Sequence, residues 1–285
     1  MIRSILASYK EPIEKAIAAS LETFGPKSVL RDAVEYALKN GGKRFRPAIV
    51  YMVAKALGKE GEALDHAALA IEYFHTASLI ADDLPCMDDD ALRRDVPTLH
   101  KVYNESTAIL ATYTLIAAGY DQIRLGAQKL GNSDVCLLAI ENASLNTGIL
   151  GAAGGQYADL YPSALTEDEV LAVMDKKTGT LFEISFVFGW LFGGGDLTSL
   201  STIKGAALSF GRAFQISDDF LDYEQDLGGV NFPAVAGFEK AFSLLQTELS
   251  HYYDSLKKLN IETPELLALG QLVEERCALI TAPVV

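Results

Sequence analysis

The sequence predicts an all-α protein: a single domain over residues 1–285, built as a bundle of about a dozen helices around a central cavity. Three observations predict it. Apolar residues recur at helical spacing from one end of the chain to the other, and no period-2 pattern of strand type survives scrutiny. No Gly/Ser/Pro-rich linker or low-complexity tract divides the 285 residues, and a hydrophobic content of 49% is ample for one large core. Two aspartate clusters, at 82–90 and 218–222, each sit at the polar end of a strongly apolar stretch, so both are expected to face a shared cavity.

Taken in order, residues 2–23 form an amphipathic helix with Ile2, Ile5, Leu6, Ile13, Ile17 and Leu21 near one face. Pro26 precedes a second helix over 28–40, ended by Gly41-Gly42. GGKRFRP (41–47) starts a third, with Pro47 suited to its first turn. A long helix covers 62–82, and Pro85 breaks it. The stretches 104–128 and 131–148 are Ala/Leu/Ile-rich helices. GAAGGQYADL (151–160) packs small residues against a neighbour or a ligand tail, and its glycines leave helix continuity open. Residues 166–194 are a helix starting at Thr166-Glu-Asp-Glu, carrying Lys176, Lys177 and Thr178 midway and then turning apolar. That apolar run, 180–195, is interrupted by Glu183 and too short to span a bilayer, so it is expected to be a buried core helix. Helices over 199–225, 234–259 and 263–281 complete the chain.

Composition narrows the class of function. With 24 Lys+Arg against 38 Asp+Glu the net charge is −14, which argues against nucleic acid and anionic membranes as partners. Cys86, Cys136 and Cys277 are odd in number and form no ligand spacing, which points to a reduced, cytoplasmic protein. The start MIRSILASYKEPIEK has no long apolar core, so no secretory signal is expected, and with the run 180–195 too short to span a bilayer no integral membrane protein is expected either.

The chemistry concentrates in HTASLIADDLPCMDDDALRR (75–94), where Asp82, Asp83, Asp88, Asp89 and Asp90 precede Arg93 and Arg94. So much charge at the mouth of an apolar segment asks for compensation, and hard divalent cations with oxygen ligands supply it. Most aspartate runs are merely solvated. The second cluster, GRAFQISDDFLDYEQD (211–226), tips the balance: Asp218 and Asp222 share a helix face one turn apart, where like charges destabilise a bare helix. Lys43, Arg44 and Arg46 crowd a helix N-terminus against its dipole, which makes sense if an anion sits among them. His75 lies seven residues before Asp82, on the same face; a lone helical histidine there is about as much a satisfied core residue as a ligand.

DDLPCMD, DDFLD, GGKRFRP and KTG (177–179) together resemble the polyprenyl (isoprenyl) diphosphate synthases, over roughly residues 25 to 240. The four residues between Asp83 and Asp88 are similar to the bacterial farnesyl and the plant or bacterial geranylgeranyl type. The resemblance implies an isoprenoid-synthase fold and a Mg²⁺-dependent trans-prenyltransferase that joins isopentenyl diphosphate to dimethylallyl, geranyl or farnesyl diphosphate. It assigns catalysis to Asp82, Asp83, Asp88, Lys177, Asp218, Asp219 and Asp222, with Asp82, Asp88 and Asp218 holding Mg²⁺. It places Arg93, Lys177, Thr178 and Gln215 on the allylic diphosphate, and Lys43, Arg46, His75 and Arg94 on isopentenyl diphosphate. It also implies a homodimer. Farnesyl-producing bacterial members tend to carry an aromatic residue where this chain has Ala77; with Ser78 also small, the expected product is geranylgeranyl diphosphate or longer, unless bulk from the 104–128 helix closes the floor instead.

Three departures stand against the family pattern. RRDVPT replaces the usual RRGKPT, placing Asp95 and Val96 in the turn, and Thr112-Tyr113 replaces a Gly-Asp pair. The loop 223–241 is short, with no lysine between Lys204 and Lys240, where the family usually carries two. Each missing charge-assisted phosphate contact costs roughly 1.5–3 kcal/mol, which predicts a poorly closing lid. The loop raises the alternative of a weakly active or non-catalytic regulatory subunit; the completeness of both aspartate clusters opposes it. A class I terpene cyclase would share the metal chemistry, but DDFLD and GGKRFRP weigh against that reading.

Overall fold

The computed structural model describes residues 2–223 and 230–281, and fourteen α-helices carry nearly all of their regular structure. In chain order they are α1 (Ile2–Ser20), α2 (Val29–Lys39), α3 (Phe45–Ala56), α4 (Glu62–Asp82), α5 (Leu99–Val102), α6 (Glu105–Leu130) and α7 (Ser133–Thr147). There follow α8 (Ala152–Leu160), α9 (Glu167–Met174), α10 (Thr180–Phe192), α11 (Leu200–Leu221), α12 (Phe232–Ala236), α13 (Phe238–Lys258) and α14 (Pro264–Thr281). The all-α expectation holds, with one local exception: Leu92–Arg93 (β1) and Val96–Pro97 (β2) pair as a minimal antiparallel hairpin.

Side-chain caps open α2, α6, α7, α9 and α12. Ser28, Asn104, Asn132, Thr166 and Asn231 each accept a hydrogen bond from a backbone N–H two or three residues on. At Thr166 half of a capping box forms: the Glu169 N–H donates to the Thr166 hydroxyl, and that hydroxyl donates to Glu169 Oε2.

α4 is the axis of the molecule. α6 packs along one side of it, and α3 and α10 along another. With neighbours on several sides, most of its residues are buried, which is why it reads as apolar rather than as a one-sided stripe. α10 is buried from Leu181 to Phe192 except at Glu183, as expected of the 180–195 run.

The helix expected over 166–194 is not regular. One π turn, Asp175–Gly179, separates α9 from α10. Such bulges add a residue within a turn and so re-aim the side chains they carry, here Lys177 and Thr178. The helix expected over 199–225 stops at Leu221; residues 224–229, including part of the lysine-free loop, lie outside the described residues. By length and composition the stretch Ser133–Leu160 is apolar enough to cross a membrane, but the structure breaks it between α7 and α8.

Candidate active site

Asp82 is the last residue of α4. The chain then folds back at Pro85, so that the Asp88 N–H donates to the Asp82 carbonyl at 2.9 Å and the Asp89 N–H to the Leu84 carbonyl at 3.1 Å. The turn brings the Asp82 and Asp88 carboxylates into one field. Burial pushes the Asp82 carboxyl up to about 6; Lys177 opposes the shift and Asp88 adds to it. Asp88 is raised for the same first reason, again with Lys177 opposing. This is negative charge that the protein leaves incompletely compensated.

Asp83 points elsewhere. It is 5% exposed and is clamped by Arg93, which donates through Nε at 2.7 Å and through Nη2; the same Nη2 reaches Asp90 at 3.0 Å. In this structure Arg93 therefore ties the aspartate loop to itself, and its expected place on an allylic diphosphate is not where its donors now point.

The second wall is the end of α11. Burial raises the Asp218 carboxyl; Arg276 of α14 opposes it at 2.5 Å, Asp222 adds to it, and Lys43 lies near enough to oppose. Asp222 caps the helix and is exposed. Asp219 is buried: its carboxylate accepts from Gln215 Nε2 at 2.8 Å and from the Phe232 N–H at 3.0 Å. It anchors α12 to α11, so of the three aspartates in DDFLD the middle one serves the fold.

Between the walls lies the π turn. Lys177 Nζ pairs with Asp159 of α8 at 2.5 Å, and the Thr178 hydroxyl donates to Gln215 Oε1 at 2.8 Å. Arg212 holds the turn from behind, bidentate to Asp175 at 2.7 Å on each arm and bonded to Glu248 at 2.8 Å. Gly155 of α8 has to be glycine: a Cβ there would lie 2.4 Å from the Lys177 nitrogen.

The basic group assembles beside this turn, with one correction. Arg44 does not join it; it is 4% exposed and paired inward with Glu72 at 2.5 Å and Glu14 at 2.8 Å. Lys43 is exposed near Asp218. Arg46 stands 3.3 Å from His75 Nε2 and 4.8 Å over the Phe182 ring. Burial lowers Arg46 to about 10 and takes His75 well below its usual range, with Arg46 adding to the effect, so the imidazole is neutral. Arg46 Nε and His75 Nδ1 are buried without a partner among the described residues. Arg94 donates to the Gly41 carbonyl at 2.6 Å and lies flat on Gly42, whose φ is +119° and whose added Cβ would be 2.5 Å from Arg94 Nη1.

A cavity of about 410 Å³ opens directly below Asp82 and Lys177. Ala77, Ser78 and Ala81 line it from α4, Thr112 and Ile116 from α6, and Tyr157 from α8. Phe74, also a lining residue, meets Tyr120 edge-on at 5.2 Å between ring centroids. Charge at the mouth and apolar walls beneath suit an amphiphile with an anionic head and a hydrocarbon tail.

Residues 27–231 match the model of the polyprenyl synthetase family. The chain belongs to that family. It is 32% identical to the farnesyl diphosphate synthase of Geobacillus stearothermophilus, over 96% of this chain and 98% of the relative. It is 33% identical to geranylgeranyl pyrophosphate synthase 4 of Arabidopsis thaliana, over 83% of this chain and 67% of the relative. Among solved structures, a FPP/GFPP synthase from Zymomonas mobilis superposes with a TM-score of 0.84 at 29% identity, covering 95% of this chain and 99% of that one.

As a polyprenyl synthetase the chain is a prenyltransferase of the trans-prenyl diphosphate synthase type, and its departures from the family pattern take on structural meaning. In RRDVPT the hairpin turn holds Arg94 at φ 57° and Asp95 at φ 63°. Two successive left-handed residues make a type I′ turn, and aspartate tolerates that conformation, so Asp95 can stand where the family has glycine. Among the described residues no three acidic, imidazole or thiol side chains converge as a ready metal cage. Mg²⁺ is commonly held by one or two carboxylates plus substrate phosphates, and the raised Asp82 and Asp88 are a donor set of that kind. Asp159 and Arg276 escaped sequence reasoning. Asp159 is the lone charge of α8 and Arg276 follows two glutamates in α14, and only the fold shows that they meet Lys177 and Asp218.

Proposed function

We propose that this prenyltransferase joins isopentenyl diphosphate to an allylic diphosphate in a Mg²⁺-dependent reaction and stops at geranylgeranyl diphosphate. The observation that carries the reading is the junction of Asp82, Asp88 and Lys177 with an apolar cavity of about 410 Å³. An allylic diphosphate fits with its head between the two aspartate walls and its tail below. Bound at Asp82, Asp88 and Asp218, Mg²⁺ would supply the positive charge that favours departure of diphosphate.

Lys177 and Thr178 line the head's position from the π turn, and Lys177 has to exchange Asp159 for phosphate oxygen. Arg46, His75, Lys43 and Arg94 form the second anion site; the partnerless Arg46 Nε and His75 Nδ1 are donors in waiting. The allylic C1–O bond breaks and its electron pair leaves with diphosphate. The isopentenyl double bond then supplies the electrons of the new C–C bond, and the proton lost from the adjacent carbon goes to the departed diphosphate. Closed apolar walls keep water from the cation.

The product length follows from where the first ring crosses the tail's path. Farnesyl-type relatives are expected to carry an aromatic at the Ala77 position. Here the first aromatic on that face is Phe74, three residues lower, or ~4.5 Å and about one isoprene unit deeper. A homodimer is supported by Leu110, Tyr113, Leu137, Leu145, Ile149 and Tyr157, large apolar residues left exposed along α6, α7, α8 and the turn between the last two. The reduced cysteines support a cytoplasmic setting.

Incubation with isopentenyl diphosphate and dimethylallyl, geranyl or farnesyl diphosphate, with and without Mg²⁺, tests the reading. A metal-dependent twenty-carbon product is expected. No product from any pair would leave the regulatory-subunit reading in its place.

A further inference from the structure

Gln156 is the one polar side chain of α8 that faces the tail cavity without an explanation. It lines the cavity with Phe74, Ala77, Ile116, Leu160 and Leu181. Among the described residues, neither its Oε1 nor its Nε2 has a hydrogen-bond partner, and both atoms are shielded from solvent. Leaving a buried amide unsatisfied costs roughly 1–3 kcal/mol, and leucine or methionine would fill the same space without that cost. A polar group held at a loss inside an apolar pocket marks a place where stability has been given up for function.

Its position says which function. Gln156 precedes Asp159 by three residues on α8, so the two share a face, with Gln156 ~4.5 Å further along the axis. Asp159 holds Lys177 at the head of the site. The absent Cβ of Gly155 lets this helix lie directly against the Lys177 backbone, fixing the height of Gln156 relative to the π turn. Gln156 and Lys177 line the same cavity, so a prenyl tail whose diphosphate meets Lys177 passes the amide.

We infer that Gln156 is a catalytic residue that stabilises the allylic cation, its amide carbonyl oxygen directed at the electron-poor carbons formed when the C1–O bond ionises. The inference rests on the prenyl-transfer reading above. Fixed in place before reaction and surrounded by apolar walls, an amide dipole acts more strongly than it would in water. It interacts with the cation more than with the uncharged allylic chain of the bound diphosphate, so it accelerates ionisation without tightening substrate binding. No base or further reactant is involved.

The test compares Gln156→Leu with the parent enzyme. Single-turnover condensation with geranyl diphosphate should slow by roughly ten- to a hundredfold, while KM for both diphosphates stays within about twofold. Tm should hold or rise, because an unsatisfied amide has been removed. A geranyl diphosphate analogue bearing an ammonium nitrogen in place of C3 should lose at least about tenfold in affinity, and its uncharged carbon counterpart should not. Equal loss for the charged and uncharged analogues, or an unchanged turnover rate, overturns the inference. A parent enzyme that makes no prenyl product overturns the prenyl-transfer reading instead.

Discussion

Arg276, near the end of α14, donates through Nη1 to Asp218 Oδ1 at 2.5 Å, and its guanidinium lies 4.6 Å over the Phe214 ring. The last helix thus places a fixed positive charge on the aspartate proposed to hold metal on the second wall. A cation arriving at Asp218 has to share or displace that charge. Arg276→Ala should therefore lower the Mg²⁺ concentration needed for half-maximal binding of a non-reactive allylic diphosphate analogue by several fold, read by calorimetric titration. A higher Mg²⁺ requirement would show that Arg276 itself grips the diphosphate.

The first wall is expected to show a pH signature in stability. An unfolded aspartate titrates near 3.9. Burial in the fold raises Asp82 to about 6, so the folded state holds the extra proton between those values. The favourable contribution is complete below ~3.9 and is lost as pH rises through the folded value. Asp82→Asn should then raise Tm at pH 8 and leave it nearly unchanged at pH 4, while condensation falls by orders of magnitude. Asp218→Ala should abolish turnover equally with the helical circular dichroism intact. Near-parent turnover in either variant at saturating Mg²⁺ contradicts the two-wall site.

Arg44 and Glu72 offer a contrast in kind. Both are under 5% exposed and each is the other's close charge partner. Without Glu72, Arg44 would keep Glu14, whereas removing Arg44 strands the buried Glu72, which costs roughly 3–5 kcal/mol. Arg44→Ala should therefore lower stability in urea denaturation by about that amount, and any loss of activity should track loss of folded protein rather than KM.

The floor of the cavity is testable in both directions. Ala77→Phe puts a ring across the tail's path and should shorten the main product toward fifteen carbons, with KM for isopentenyl diphosphate little changed. Overpacking costs about 1–3 kcal/mol, so Tm is measured alongside. Phe74→Leu, which removes the ring that meets Tyr120, should lengthen the product. An unaltered product distribution from two well-folded variants would move the floor away from this pair.

Residue pattern alone carried the all-α class, the span of α4 as Glu62–Asp82, and the pairing of two aspartate clusters with a basic segment. These were legible because helical periodicity and short-range spacing are properties of neighbouring residues. What each charge does was decided elsewhere. Asp82 and Asp83 are adjacent, yet the first faces the cavity and the second is locked to Arg93; Arg44 and Arg46 are two apart, yet one pairs inward and the other meets His75. A left-handed backbone at Arg44 and a π turn at Lys177 redirect side chains by no more than one residue of register, below what periodicity resolves. Asp159, Gln156 and Arg276 carried no local signal. Their partners are distant in sequence or missing, so their placement beside the reacting groups is a property of helix packing, which only the tertiary structure decides.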